Sequence, residues 1–430
     1  MRALLEAVEG TSPVNAVEAV TRELAHAHGA SSASFLIADL SGRALVRLAR
    51  TSAGSLDPGR GERRDEKESA TVLPFDGGPA EQALRTQSTL VLGPDAASPT
   101  GAAAGEWTVL APVTERGEAL GLLEMVLPVE PGPALLDEIS RTAHLLSFVL
   151  IANRRHTDLF EWGQRSTPFT MSAEIQRRLL PSAFTCEGGA FTLSAWLEPA
   201  SSIGGDTYDY SVGRDTLFLS MTDAMGHGLN SALTATVCVG SLRNTRRQAT
   251  TLLEQAEAAN AALVEYAETV HESAFATGMV GRLTLSTGVL SIVNAGHTGP
   301  YLARDGAVTM LDLPADVPFG MFADSTYRST DLALRAGDRL VIVTDGMLER
   351  NASSLDLCEE IAATRELHPR EATRALADRV IAASGSELAD DAALFVLDWH
   401  GQQDNTRTSH TGADTAGTDA AGHPTGPSRH

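Results

Sequence analysis

Hydrophobic positions along the chain switch between helical and alternating spacing, and the switches mark out elements. Leu4, Leu5 and Val8, then Val17, Val20 and Leu24, recur at helical intervals and predict helix over much of residues 1–30. "SASFLIADLSGRALVRLAR" changes to strand-like spacing on both sides of Ser41-Gly42, which predicts a strand, a turn and a second strand. A polar connection, "RTSAGSLDPGRGERRDEKES", follows. "PAEQALRTQSTLVLG" then predicts a helix and a strand, and "WTVLAPVTERGEALGLLEMVLP" a hairpin turning at residues 115–118. "PALLDEISRTAHLLSFVLIANRRHTDLF" predicts one long amphipathic helix. This order predicts an α+β module over residues 1–155.

Residues 156–185 are expected to be a helical linker. Met171, Ile175 and Leu179 recur every fourth residue before Pro181, so "MSAEIQRRLLP" predicts a short amphipathic helix with a stop. Such a helix either packs passively, transmits a state of the first module or joins a dimer seam. Over residues 186–400 strands and helices mix. "DTLFLSMTD" predicts a strand, residues 229–246 and 251–271 two helices, and "MVGRLTLSTGVLSIVNAG" and "PYLARDGAVTML" two hairpins. "DRLVIVTDG" and "AALFVLDW" predict buried strands flanking a mostly helical stretch over 355–383. Hairpins combined with two adjacent long helices predict two sheets flanked by helix pairs. The tail, 401–430, contains no Val, Ile, Leu, Phe, Tyr or Trp and is expected to be disordered.

Composition removes several functions. A length of 430 residues exceeds one ordinary core, and no uncharged apolar run reaches membrane-spanning length. The N-terminus lacks the features of a secretory leader, so a cytoplasmic location and no membrane partner are expected. The formal net charge of −22 opposes binding to nucleic acid. Three scattered cysteines, Cys186, Cys238 and Cys358, make neither a disulfide framework nor a zinc knuckle. Lys67 is the only lysine, which excludes P-loop, protein-kinase and pyridoxal chemistry.

The candidate chemistry lies in aspartates at strand ends. Asp223 ends "LFLSMT" and Asp345 ends "RLVIVT", while Asp390 and Asp391 precede "AALFVL". Antiparallel pairing of such strands brings these acids to one rim of a sheet, and a turn returns Asp206 and Asp209 to it. A single aspartate after a strand is usually a turn or cap residue, but four such positions in one domain point to metal. Clustered carboxylates repel unless a cation neutralises them, and an oxygen-only set selects manganese or magnesium over zinc. Gly204, Gly205, Gly226 and Gly228 allow close backbone approach, so a carbonyl such as that of Ala224 can join the ligands. Two adjacent divalent ions would support metal-assisted phosphoester hydrolysis. His227 in "MGHG" is either a proton donor or phosphate contact, with Gly226 beside it, or an imidazole bonded to its own turn.

The motifs "SSIGGDTYDY", "SMTDAMGHG", "NAGHTGPYL", "VPFG", "VTDGMLER" and "ADDAALFVLD" occur in an order that resembles bacterial metal-dependent protein phosphatases. The resemblance is to the sporulation and sigma-factor-regulator branch of the protein phosphatase 2C superfamily and spans about residues 172–399. It implies a serine/threonine phosphatase with an α-β-β-α sandwich and a two-metal centre. Carried over, Asp206 and Asp223 would hold the metal pair with the Ala224 carbonyl. Asp345 and Asp390 would complete one ion, with Asp391 the competitor for that last place, and Asp209 would ligate or orient a ligand. Thr207 departs from the bulky aromatic usual in this branch, which puts packing behind the site in doubt. By its element order, the first module resembles a GAF domain, with a PAS-like module as rival.

The resemblance implies a phosphorylated regulatory protein of the anti-anti-sigma type as substrate, with the first module setting activity. The alternative is a catalytically impaired scaffold that binds a signal and captures a phosphoprotein partner. Residues 1–155 carry no cysteine, which excludes a thiol-attached bilin there, and they name no sensor ligand. Homodimerisation through residues 133–180 is also expected.

Overall fold

The computed structural model describes residues 2–39, 44–52, 72–75, 77–96, 105–164, 170–198, 204–248, 250–348, 356–383, 391–401 and 412–416. The chain divides into two compact units, Met1–Pro168 with Thr408–His430, and Phe169–Arg407. The division falls within the stretch expected to be a linker. Residues 156–168 belong to the first unit, and the short helix beyond them belongs to the second.

The first unit begins with helices α1 (Arg2–Glu9) and α2 (Ala16–His28). Strands β1 (Ser32–Ala38), β2 (Ala44–Ser52) and β3 (Val72–Pro74) follow, then α3 (Pro79–Thr86) and β4 (Leu90–Leu92). The hairpin β5 (Trp107–Glu115) and β6 (Glu118–Leu127) precedes α4 (Pro133–Asn153) and α5 (Leu159–Gly163). The strands form one antiparallel sheet in the order β3-β2-β1-β6-β5-β4. Phe35, Leu123 and Met125 face one side, against Val20, Leu24, Leu146 and Phe160. Leu36, Leu110 and Leu122 face the other, against Ala83 and Leu84 of α3. Because both faces are covered, these strands are continuously apolar rather than alternating. The single long helix expected through Phe160 ends at Asn153 instead, where a 3-10 turn and extended Thr157 redirect the chain.

The second unit opens with α6 (Met171–Leu179), β7 (Thr185–Glu187) and β8 (Phe191–Glu198). Strands β9 (Asp206–Val212) and β10 (Thr216–Ala224) lead into helices α7 (Leu229–Arg247) and α8 (Leu252–Val270). Next come β11 (Ala276–Thr284), β12 (Val289–Ala295), β13 (Tyr301–Arg304), β14 (Ala307–Met310) and β15 (Ser329–Ala333). The unit closes with β16 (Asp338–Val343), α9 (Leu357–Ala363), α10 (Pro369–Ala383) and β17 (Ala392–Trp399). Two antiparallel sheets result, ordered β15-β12-β11-β10-β9 and β14-β13-β16-β17-β8-β7.

Three apolar layers stack these elements. Tyr208, Leu219, Met221, Leu340, Ile342 and Phe395 fill the space between the sheets. Cys238, Val239, Ala256 and Leu263 of α7 and α8 cover the outer face of the five-stranded sheet, against Val280 and Val293. Ile361, Leu376 and Val380 of α9 and α10 cover the other sheet, against Val341, Leu394 and Val396. The result is the α-β-β-α sandwich expected from the sequence. Helix α8 starts at a capping box, in which Thr251 and Glu254 satisfy each other's backbone N–H groups. Among the described residues no helix is long and apolar enough to cross a membrane.

Arg339, only 1% exposed, fastens the second helix pair to its sheet. Its Nε and Nη2 donate to the two carboxylate oxygens of Asp398 at 2.6 and 2.8 Å. Nη1 and Nη2 also donate to the Thr364 and Leu367 carbonyls at 2.6 and 2.7 Å, capturing the loop between α9 and α10. A buried guanidinium is tolerated because its donors are met in this way, and truncation strands the acceptors. Arg339→Ala is expected to destabilise the second unit by about 3–5 kcal/mol, read as a lowered urea midpoint.

Candidate functional site

Strand register builds the site. Asp206, the first residue of β9, pairs directly with Asp223 near the end of β10. Side chains alternate along a strand, so Asp206 shares a face with Tyr208, and Asp223 with Met221, both in the layer between the sheets. The two carboxylates therefore share the inner face at the end of the sandwich. Asp206 is 3% exposed and Asp223 is half-buried. Gly205 makes room beside them, since a Cβ there would lie 2.3 Å from the Ala224 carbonyl oxygen.

Asp345 and Asp391 stand at strand ends of the other sheet, so these acids do not share the single-sheet rim that the strand order suggests. Asp345 follows Thr344 at the end of β16 and is exposed. Asp391 stands immediately before β17 and is 1% exposed. Asp390 lies outside the described residues. Gly346 has an evident reason: a Cβ there would lie 1.8 Å from the Asp391 carbonyl oxygen. "DG" serves close packing between these two segments here.

Polar cross-ties join the two sheets at this end. The Thr344 hydroxyl, fully buried, donates to Asp206 Oδ2 at 2.6 Å and accepts from the Ala393 N–H at 2.8 Å. Gln176 of α6 donates through Nε2 to the Asp206 carbonyl at 2.8 Å and to Asp391 Oδ2 at 2.7 Å. Gly204 N–H donates to the same Oδ2 at 2.9 Å. Asp391 is thus a buried brace between α6 and the strand entry at Gly204. Sequence reasoning names neither Gln176 nor Thr344. A signal exists for Gln176, which precedes Leu179 by three positions and shares its buried face, while Met171 is 70% exposed.

Asp209 does not lie with these acids. It stands three residues after Asp206, so strand alternation turns it to the opposite face of the sheet, beneath α7. There Arg243 donates from Nε and Nη2 at 3.0 and 2.9 Å, and Arg246 from Nη1 at 2.9 Å. It anchors a helix and does not join Asp206 and Asp223. Thr207 lies on that same outer face, bonded through its hydroxyl to Thr222 at 2.6 Å. The missing aromatic therefore alters packing under α7 and leaves the inner face untouched.

The histidines separate cleanly. His227 is exposed on the turn between β10 and α7, beside Gly226 with φ +87°. His297 is buried, its N–H donating to Asn294 Oδ1 at 2.7 Å while Asn294 returns a bond to its carbonyl at 3.0 Å. Burial pushes the His297 pKa down to about 4, opposed in part by the Val343 backbone. It is neutral at physiological pH and braces the loop after β12, as its position in "NAGHTGP" suggests.

Among the described residues no three His, Cys, Asp or Glu side chains gather as ligands of one ion. The donor set present nonetheless fits hard cations, with two opposed carboxylates on one face and a backbone carbonyl beside them.

Comparison with known proteins agrees with the motifs. Residues 213–400 match the family model "Stage II sporulation protein E (SpoIIE)". The chain is 23% identical over 279 residues to the phosphoserine phosphatase RsbU of Bacillus subtilis, covering 62% of this chain and 81% of that one. It is 26% identical over 164 residues to the phosphoserine phosphatase RsbP of the same organism, covering 37% of this chain and 40% of that one. A solved structure of RsbU and RsbW domains from Mycobacterium tuberculosis aligns with TM-score 0.44 and 24% identity, over 50% of this chain and 61% of that one.

Asp209→Ala is expected to lower the stability of the second unit by about 3 kcal/mol, because it leaves two guanidinium groups without their shared carboxylate. Manganese affinity, measured by calorimetry, should be unchanged. A loss of manganese binding at unchanged stability would return Asp209 to the ligand set.

Proposed function

On the premise that residues 213–400 form a SpoIIE-type domain of the protein phosphatase 2C class, we propose that this chain is a metal-dependent protein phosphatase acting on phosphoserine or phosphothreonine. The observation that carries the reading is the opposition of Asp206 and Asp223 across paired strands on the inner face. Like charges directly opposite one another are destabilising, and hard cations turn that repulsion into coordination.

Asp206 and Asp223, with the Ala224 carbonyl, would hold the ions from one sheet, Asp345 would join them from the end of β16, and the motif resemblance adds Asp390. When bound, a pair of manganese or magnesium ions supplies a nucleophilic hydroxide and neutralises charge on the phosphoryl oxygens. The chain's own residues do the positioning. Thr344 orients the Asp206 carboxylate by donating to Oδ2, and Gln176 fixes the strand carrying it through the backbone carbonyl. His227 and Gly226 are exposed on the turn beside Asp223, which supports a role for them in meeting the substrate. The imidazole there has the chemistry to protonate a leaving serine oxygen.

The substrate is a phosphorylated regulatory protein of the anti-anti-sigma type. Support comes from the likeness to two proteins named phosphoserine phosphatases, one of them matched over most of its length. The first unit acts as a GAF-like regulator of the second. The scaffold alternative rests on Thr207, and its place on the outer face withdraws that support.

Asp223→Asn is expected to abolish manganese-dependent hydrolysis of an aryl phosphate without lowering the metal-free unfolding midpoint of the second unit. Full turnover in that variant refutes the assignment. Gln176→Ala should reduce turnover about 10- to 100-fold, as loss of an outer-shell partner does, without exposing the core to hydrogen exchange.

A further inference from the structure

Among the described residues, the tail includes a seated segment, 412–416, that its composition does not predict. Residues 412–416 belong to the first unit, and Ala413 is only 3% exposed. We propose that this segment is an internal ligand of the first unit, seated between the β5–β6 turn and α4.

Three observations define the seat. The Gly412 carbonyl accepts from the Gly117 N–H at 2.8 Å. Gly117 forms the turn with Arg116, the two at φ 80° and 46°, and its carbonyl accepts from Gln87 Nε2 at 2.7 Å. The turn is therefore held from one side by a side chain after α3 and from the other by the tail. Gly412 itself has φ +94°, and a Cβ there would lie 2.3 Å from the Thr114 carbonyl oxygen and 2.5 Å from His144 Nδ1. His144 Nδ1 lies 2.8 Å from that same Thr114 oxygen, so strand and helix present one joined surface to the tail.

The contacts also specify which part of the tail docks. The seat demands a residue without a Cβ in a left-handed conformation, followed by a small apolar side chain. Gly412-Ala413 is the one Gly-Ala step between residues 401 and 430. Beyond it, the Ala416 N–H donates to Asp414 Oδ1 at 3.0 Å, a local side-chain-closed turn. Residues 412–416 carry no large apolar side chain, and backbone bonding and a close fit at Gly412 seat them. The seat lies on α4. Any molecule that uses this surface must first displace the tail.

The test compares hydrogen exchange by mass spectrometry in the full chain, in a chain ending at Gly401, and in full-length Gly412→Val. The Gly117 amide is expected to exchange about threefold faster or more in both variants, with the second unit as internal reference. A synthetic peptide of residues 408–418 at about millimolar concentration should restore protection to the truncated chain. The same peptide carrying Gly412→Val should not. Equal Gly117 exchange in the full and truncated chains overturns the proposal, as does equal action of the two peptides. Failure of this test leaves the phosphatase assignment standing, because no catalytic readout enters it.

Discussion

Two carboxylates set opposite each other at the end of a strand pair repel, and burial raises the cost. Asp206 and Asp223 occupy that arrangement, with Asp206 almost fully removed from solvent. Elsewhere the sheets meet through Tyr208, Met221, Ile342 and Phe395. At the acid end they meet through hydroxyl, amide and backbone donors: Thr344 to Asp206, Gln176 to Asp206 and Asp391, Gly204 to Asp391. Close packing at Gly205 and Gly346 is part of the same constraint, since either Cβ would push the backbones apart. The sandwich is apolar where it must be stable and polar where it must hold charge.

The distribution of the acids between two sheets has a further consequence. Asp206 and Asp223 move with β9 and β10, while Asp345 and Asp391 move with β16 and β17. Gln176 is hydrogen-bonded to both sets from a third element, α6. A shift of that helix would alter the bonding of the two acidic segments together. Because α6 belongs to the second unit, this coupling is built into the sandwich itself. It does not lie in a free linker.

Much of this arrangement is legible in the amino-acid sequence. The hairpins around Ser286–Gly288 and Asp305-Gly306, helices α7 and α8, and acids at strand ends all follow from local periodicity and turn chemistry. The parts that are not legible depend on which face or which sheet a residue occupies. Asp209 looks equivalent to Asp206 because both sit in "GGDTYD", yet three positions along a strand reverse the face, and two arginines of α7 claim it. Arg339 reads as an ordinary charge in "DRLVIV" and becomes a fully buried clasp only when Asp398 and the loop after α9 converge on it. The break after Asn153 is hidden because "RRHTDLF" continues a plausible helical pattern.

The two faces of this sheet carry different demands. A chain that had kept only partner capture would be under no requirement to maintain opposed inner-face carboxylates, and relaxing either to an uncharged residue would relieve repulsion. Here the inner face keeps both acids and the donors that orient them, while the visible departure, Thr207, falls on the outer face. There its hydroxyl pairs with that of Thr222, so the buried polar atoms remain satisfied without the ring. The threonine pair lies on the side of the sheet that supports α7, and both carboxylates lie on the electrostatically costly side. That asymmetry fits a site under chemical demand better than one serving only as a docking surface.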